Sequence, residues 1–498
     1  MMMPAQSNVK ATPERREFSR RLTALLAGSA AVVYLSLALF GAAQHRLWFD
    51  EVNTALLARL GPHRLWNALK AGADTNPPLL YLPVHLLYGW GIGPELATRL
   101  PAILEFGLMM IFLYLLARAY VPVLYALFAC FAPFLTAAGI YATEGRGYAA
   151  MLGSSAAALF FWRESCRGRR RPLMLTALAL SIAIGIGNHY SSTVILVSLF
   201  AGELTRLVQS HRIDWGVAIA VCAGALTLAL FRPLLPAIHE YLKSYWGKPS
   251  IHELVFGVAL GYGLGLALMI IFWALSRWRA QPNAIAFASP PPYERVAWIV
   301  LLCAPIQGYL QGLVTGGFTV RYAVDLAIPM AIFLAIYACR VGKGTPLFGA
   351  VLLAMALIFC AGRLCVRVFR PIPFEREADW IKAQASVSTG PIVIGSPLVF
   401  SPLYFYASEP LKRRIFYVSD PDLSTRILHQ NSPDHNLHQL RDFSPMPVID
   451  YSQLKETLPS FQLVNDDDSW LLTQLRRDGI SVSRTRCDQS WCLYDVTF

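Results

Sequence analysis

Residues equipped for chemistry fall at five places along this chain. The first is Trp48-Phe49-Asp50-Glu51, an acidic pair just past an apolar run over 22–43. A carboxylate there can act as a general base toward an acceptor hydroxyl, or ligate a divalent cation such as Mg, Mn or Zn. Its structural alternatives are a solvated pair or partners for Arg46 and Arg59. The second is Thr143-Glu144-Gly145-Arg146-Gly147-Tyr148, a glycine-rich turn that sets an acid and a base two residues apart, with an aromatic beside them. That spacing does not put Glu144 and Arg146 on one helix face. It suits either a polar headgroup or a plain ion pair. The third is Asp74-Thr75-Asn76-Pro77-Pro78, whose tandem proline fixes an extended backbone. The fourth is Arg321-Tyr322. A guanidinium grips phosphate through two parallel hydrogen bonds, or snorkels to lipid phosphates. The fifth is His189, in the break between two apolar runs, where an ordinary interface residue is the competing reading. Lys70 and Lys243 are further cations that could meet negative charge.

The elements that carry these residues are membrane spans. The chain has 498 residues, is 55% hydrophobic and only 15% charged, and repeats apolar runs long enough to cross a bilayer. The net charge of +12 does not indicate nucleic acid, because the basic residues sit mostly in short loops between apolar runs. Eleven runs are expected to span: 22–43, 97–117, 120–140, 146–163, 173–187, 190–208, 215–235, 254–276, 296–314, 320–339 and 345–366. A twelfth apolar segment, 79–91, is short, contains Pro83 and His85, and reads as an interfacial or re-entrant helix.

Charge sets the topology. The basic N-terminus (Lys10, Arg15, Arg16, Arg20, Arg21) and the loop with Arg163, Arg167, Arg169, Arg170 and Arg171 both belong in the cytoplasm, so an even number of crossings separates them. Leaving 79–91 at the interface gives four crossings and satisfies this. The N-terminus is then inside, the C-terminus outside, and all five places above fall on the outer face. The first apolar run reads as a signal anchor, since no small-residue cleavage site follows it. The expected domains are a cytoplasmic segment 1–21, a membrane domain 22–367 and an extracytoplasmic domain 368–498.

After Phe369 the composition changes, with Pro371 and Pro373 at the boundary. Short β-like runs at 391–394, 415–418, 470–473 and 492–498 alternate with helix-like stretches such as 375–385, which predicts a small α/β domain. Asp466-Asp467-Asp468 reads as a solvated acidic turn or a cation site. The nine cysteines show no metal-ligand clustering, but Cys487 and Cys492 flank a short polar turn where an oxidising compartment would allow a local disulfide. Carboxylates, arginines and aromatics gathered at headgroup level suit a lipid phosphate whose polyisoprenyl tail stays in the bilayer. A flippase for a lipid-linked glycan would place charges at mid-membrane and show inverted repeats. A scaffold for envelope assembly would need no base.

The ordered set of motifs resembles the GT-C glycosyltransferases. It comprises the acidic pair, then Asn76-Pro77-Pro78-Leu79-Leu80-Tyr81, Ala97-Thr98-Arg99-Leu100-Pro101, Tyr141-Ala142-Thr143-Glu144-Gly145-Arg146-Gly147-Tyr148-Ala149, and Arg321-Tyr322, over roughly residues 20 to 340. It is most similar to the branch with protein O-mannosyltransferases, aminoarabinose–lipid A transferases and rhizobial core lipopolysaccharide transferases. The resemblance implies a polytopic α-helical membrane protein that transfers one sugar, with inversion, from a polyprenyl phosphate to a hydroxyl acceptor outside the cytoplasmic membrane. It aligns Asp50 with the catalytic acid of the first outer loop, Glu144 and Arg146 with the second acidic motif, and Arg321 with the basic residue before a late span. Asn76 stands where relatives often have His, which weakens a metal-ligand role there, and Gly145 and Gly147 stand where bulkier residues are common. The resemblance leaves a divalent cation, held by Asp50 and Glu144, as an alternative to arginine for stabilising the leaving phosphate.

Overall fold

The computed structural model describes residues 13–168, 170–278, 289–369, 375–387, 389–466, 469–488 and 491–498. Eight helices among them are long and apolar enough to cross a membrane, or ten if each of two bent helix pairs is one span. The segment expected at 120–140 is one such pair, Val123–Leu135 and Ala137–Thr143, bent by 91°. The segment expected at 296–314 is the other, Pro292–Leu302 and Ala304–Thr315, bent by 54°. The run at 146–163 forms the helix Tyr148–Cys166, which falls outside that group because Arg163 and Glu164 sit in its last turn. It is nonetheless central: small residues from Gly153 to Ala158 let it pack against the helices Pro94–Ala117 and Arg171–Asn188.

Many apolar side chains of this bundle face outward, including Leu260 at 81% and Ile358 at 73% exposure, a surface compatible with lipid and not with water. Arg169, the stretch 279–288, and Pro371 and Pro373 lie outside the described residues.

The segment after the first long helix folds as short helices. Phe49–Ala58 and Pro62–Ala71 are followed by a 3₁₀ turn at Pro78–Leu80 and the helix Tyr81–Gly89. Pro77 is extended at ψ 160°, as the tandem proline requires. With nine residues, Tyr81–Gly89 is only about 13 Å long at 1.5 Å per residue, too short to span. It packs on Phe49–Ala58 and Pro94–Ala117 instead.

The C-terminal part is an α/β layer on a six-stranded mixed sheet: β1 Ile392–Ile394, β2 Ile415–Ser419, β3 Val448–Asp450, β4 Ser460–Asp466, β5 Ser481–Asp488 and β6 Trp491–Thr497. The strand order is β3-β2-β1-β4-β6-β5, with β1 parallel to β2 and β4, and β6 antiparallel to β4 and β5. The expected strands at 391–394, 415–418 and 492–498 and the helix at 375–385 are present. The run at 470–473 is instead the start of the helix Trp470–Arg477, because the Ser469 hydroxyl accepts from the Leu472 N–H and caps it. Asp466 ends β4, and Asp467 and Asp468 lie outside the described residues. Cys487 and Cys492 are register partners on the β5–β6 hairpin and form a disulfide, which the sequence allowed without settling.

This layer is not an appendage. One face of its sheet shares an apolar core with the first-loop helices, joining Leu47, Leu57, Leu69 and Tyr81 to Ile394, Phe400, Ile415 and Leu493. The Tyr406 hydroxyl adds polar ties, accepting from the Leu47 N–H and donating to Glu95, both at 2.8 Å.

Candidate active site

A cavity of about 700 Å³ opens where the first loop, one end of the helix bundle and the C-terminal layer meet. Asp50, Asp74, Asn76, Arg146, Tyr148, His189, Arg321 and Tyr322 all line it.

Asp50 and Glu51 start the helix Phe49–Ala58, where carboxylates complement the helix dipole. Successive helical residues point in different directions, and here the two part. The Asp50 side chain is about a quarter exposed to the cavity, with Oδ2 3.9 Å from Nη1 of Arg321. Glu51 points inward and is fully buried. Arg99 binds it with both arms of its fork, Nε to Oε1 at 2.8 Å and Nη2 to Oε2 at 2.5 Å. The Gly145 N–H donates to Oε1 at 2.8 Å and the Trp48 N–H to Oε2 at 3.4 Å. Arg99 is also saturated, donating to the carbonyls of Ala42, His45 and Arg46. Glu51 is therefore removed from the cavity, and its geometry fits a structural clamp between the segment after the first long helix, the Pro94–Ala117 helix and the glycine turn.

Arg146 reaches into the cavity and is held there by Asp74. Nη1 lies 2.8 Å from Asp74 Oδ2 and 3.2 Å from Thr54 Oγ1. Asp74 is itself fixed, Oδ1 accepting from the Thr75 N–H at 2.6 Å and from Asn76 Nδ2 at 3.0 Å. Asn76 thus acts through Asp74. Asp74 was legible in the Asp-Thr-Asn-Pro-Pro run as part of a structural turn, but not as the partner of Arg146.

The flanking glycines are there for contact. A Cβ on Gly145 would meet the Thr98 carbonyl oxygen at 2.8 Å, and one on Gly147 the Asn188 carbonyl oxygen at 2.5 Å. Their smallness lets the turn lie flat against two neighbouring helices and aims Arg146 at the cavity.

Arg321 lies with its guanidinium 5.0 Å over the Trp246 ring, a cation–π contact that holds it between Trp246 and Asp50. The Tyr322 and Tyr245 hydroxyls are 2.5 Å apart. The His189 ring sits between Tyr148 at 4.9 Å and Tyr322 at 5.5 Å. Its Nδ1 accepts from the Ser191 N–H at 3.2 Å, which leaves the proton on Nε2.

Charge state follows from these surroundings. Burial raises the Asp50 carboxyl above its ordinary value, Arg146 and Arg321 oppose the rise, and Asp74 and Glu51 add to it. Burial would also raise Glu51 and Asp74, but Arg99 and Arg146 respectively outweigh it and hold both below the usual range. Burial, with the two nearby arginines, pushes His189 down to about 3, so its imidazole is neutral. Glu144, buried and facing away from the cavity, is raised to about 7 by burial, with Arg367 opposing.

Besides Glu51, three expected site residues lie away from the cavity. Lys70 is exposed on the outer side of its helix. Lys243 is exposed and paired with Glu240 at 2.6 Å. Neither lines the cavity, nor does Glu144. Among the described residues no group of three His, Cys, Asp or Glu side chains could hold a metal ion. The cavity carboxylates face guanidinium groups, so this donor set does not fit a divalent cation shared by Asp50 and Glu144. The positive charge available there is Arg146 and Arg321.

Sequence comparison finds no matching family model and no matching curated protein. Structure comparison does find solved proteins with the same fold. ArnT from Cupriavidus metallidurans in the apo state superposes with a TM-score of 0.60 at 12% identity, covering 94% of this chain and 97% of that one. The same enzyme bound to undecaprenyl phosphate gives 0.60 at 13% identity, covering 95% and 98%. The archaeal oligosaccharyltransferase AglB from Archaeoglobus fulgidus, solved with an inhibitory peptide and a dolichol-phosphate, gives 0.50 at 10% identity, covering 91% and 70%.

Proposed function

We propose that this chain is an inverting glycosyltransferase of the inner membrane, moving one sugar from a polyprenyl phosphate to a hydroxyl acceptor at the outer face. The observation that carries the reading is the meeting of Asp50 with Arg321, and of Arg146 with Asp74, at one cavity of about 700 Å³. The near full-length fold match to a protein solved with undecaprenyl phosphate supports the lipid class of the donor. The Cys487–Cys492 disulfide supports an oxidising compartment for the C-terminal layer.

In the proposed reaction Asp50 takes the proton of the acceptor hydroxyl as its oxygen bonds to the anomeric carbon. The bond from that carbon to the phosphate oxygen breaks on the opposite face, and its electron pair leaves with the phosphate. The transition state resembles an oxocarbenium ion, and the charge growing on the phosphate needs fixed cations. Arg321 and Arg146 supply them. The raised Asp50 carboxyl makes a better base than an ordinary aspartate, and Arg146 and Arg321 beside it favour its ionised form. Neutral His189 offers its Nε2–H as a donor without adding charge.

Mass spectrometry of lipid extracted from the purified protein tests the donor class. A polyprenyl phosphate, bare or carrying one sugar, is expected. Recovery of bulk phospholipid alone, with no binding of added undecaprenyl phosphate, would overturn the assignment.

A further inference from the structure

The cavity has two chemically different walls. One carries Asp50, Arg146 and Arg321. The other comes from the C-terminal layer and is polar without charge: Gln430, Asn431, Ser432 and Asn436.

The local fold fixes this second wall. His429, at φ 61°, ends the helix Pro421–Leu428 in the left-handed conformation and turns the chain toward the cavity. The Asn431 N–H then donates to the Ser244 carbonyl at 3.0 Å, tying the segment to the end of the helix Leu235–Lys243. The helix Ser432–Leu440 follows, and Asp434 anchors it from behind. Asp434 is buried and accepts from the Tyr417 hydroxyl at 2.7 Å and the Ser424 hydroxyl at 2.9 Å. One turn past Ser432, Asn436 lines the cavity. It is only 7% exposed, yet its Oδ1 is buried with no hydrogen-bond partner among the described residues. The Ser432 Oγ is buried beside the Tyr241 hydroxyl, which lines the same cavity.

Buried polar atoms in native proteins are nearly always paired, so an unpaired amide oxygen on a residue that lines the cavity marks a place for a polar partner. Amides and hydroxyls without charge match the hydroxyls of a sugar ring, and lack the cations a phosphate requires. We infer that Gln430, Asn431, Ser432 and Asn436 bind the hydroxyls of the transferred sugar, which makes the C-terminal layer the part of the protein that selects the donor sugar. This rests on the polyprenyl-phosphate reading above. Division of labour follows: the membrane half holds phosphate and base, and the C-terminal half reads the sugar.

The test compares lipid phosphates with and without a sugar. Full-length protein and the variants Asn436→Ala and Gln430→Ala are titrated in nanodiscs with undecaprenyl phosphate, and with undecaprenyl phosphates carrying mannose, glucose, galactose or aminoarabinose. Fluorescence of Trp48 and Trp246, which line the cavity, reports binding. Wild type is expected to bind one sugar-bearing lipid more tightly than the bare one. Asn436→Ala is expected to weaken that lipid about tenfold, the scale of one lost hydrogen bond, while leaving bare undecaprenyl phosphate within about twofold. Gln430 is exposed, so Gln430→Ala reports the same selective loss without a folding penalty. Equal weakening of both lipids, unchanged binding of both, or an effect confined to the KM of the acceptor would overturn the inference and leave the donor class standing. Failure of wild type to bind any of these lipids would instead remove the polyprenyl-phosphate reading itself.

Discussion

Asp50 and Glu51 are neighbours in the chain and opposites in the fold: Asp50 faces Arg321 across the cavity at 3.9 Å, while Glu51 is sealed against Arg99 at 2.5 Å. One residue of helix rotation separates a group available to a substrate from a group that fixes the backbone beneath it. Arg99 gathers three carbonyls from the end of the first long helix and the residues after it, and Glu51 gathers the Gly145 N–H, so one ion pair joins that segment to the glycine turn that carries Arg146.

That role predicts a stability phenotype. Glu51→Gln and Arg99→Ala each leave an unpaired buried charge, and each is expected to destabilise by about 3–5 kcal/mol, the range for breaking a buried pair. Thermal melts in detergent check this. A melting temperature unchanged in both variants, with activity lost, would place Glu51 in the chemistry instead.

The glycines beside Arg146 predict a second, steric effect. Gly147→Ala drives a methyl group into the Asn188 carbonyl, and Gly145→Ala into Thr98. Overpacking of this kind costs about 1–3 kcal/mol, and backbone leaves less room to adjust than a side chain does. Both variants are expected to melt earlier and to lose lipid-phosphate affinity as Arg146 shifts. Full stability and binding in Gly147→Ala would show that the turn is looser than these contacts require.

Glu144 gives a pH signature. Its folded pKa of about 7 lies above the ordinary 4.5, so the folded state binds the extra proton. The contribution to stability is therefore complete below about 4.5, falls as pH rises toward about 7, and is lost above it. Glu144→Gln is expected to melt higher than wild type at pH 8 and to lose this part of the pH dependence, as melts from pH 5 to 8 would show. An identical pH trend in both proteins would contradict the burial argument.

Orientation is checked in intact cells. Arg167→Cys, in the arginine loop, is expected to stay shielded from an impermeant maleimide, and Lys455→Cys, exposed on the C-terminal layer, to react. The reverse pattern would invert the charge-derived topology.

Much of this fold could be read from hydropathy and charge, because lipid demands long apolar helices and leaves its mark on composition. The eleven expected segments all coincide with helices or bent pairs, although two are sharply broken and Tyr148–Cys166 is less apolar than a lipid-facing span. The site was legible in part. Asp50, Arg146, Tyr148, His189, Arg321 and Tyr322 do converge, because motifs at the same end of the long helices share a depth. Lys70 and Lys243 share that sequence logic but point away, since spacing gives position along an element and not its rotation. The Glu51–Arg99 pair joins residues 48 positions apart, and sequence periodicity carries no trace of it. The same holds for the C-terminal wall, whose Asn436 matters only because the sheet packs on the first loop. Trp470–Thr473 misled because a short apolar run suits strand and helix alike, and a single serine cap decided it.

The central claim is that Asp50 activates the acceptor. The direct measurement is single-turnover transfer by Asp50→Asn, with a saturating polyprenyl-phosphate sugar and an envelope acceptor fraction, beside undecaprenyl phosphate binding by the same protein. The expected result is a rate lowered about 10²–10⁴-fold, the usual contribution of a general base, with lipid binding retained. Transfer at the wild-type rate would contradict it.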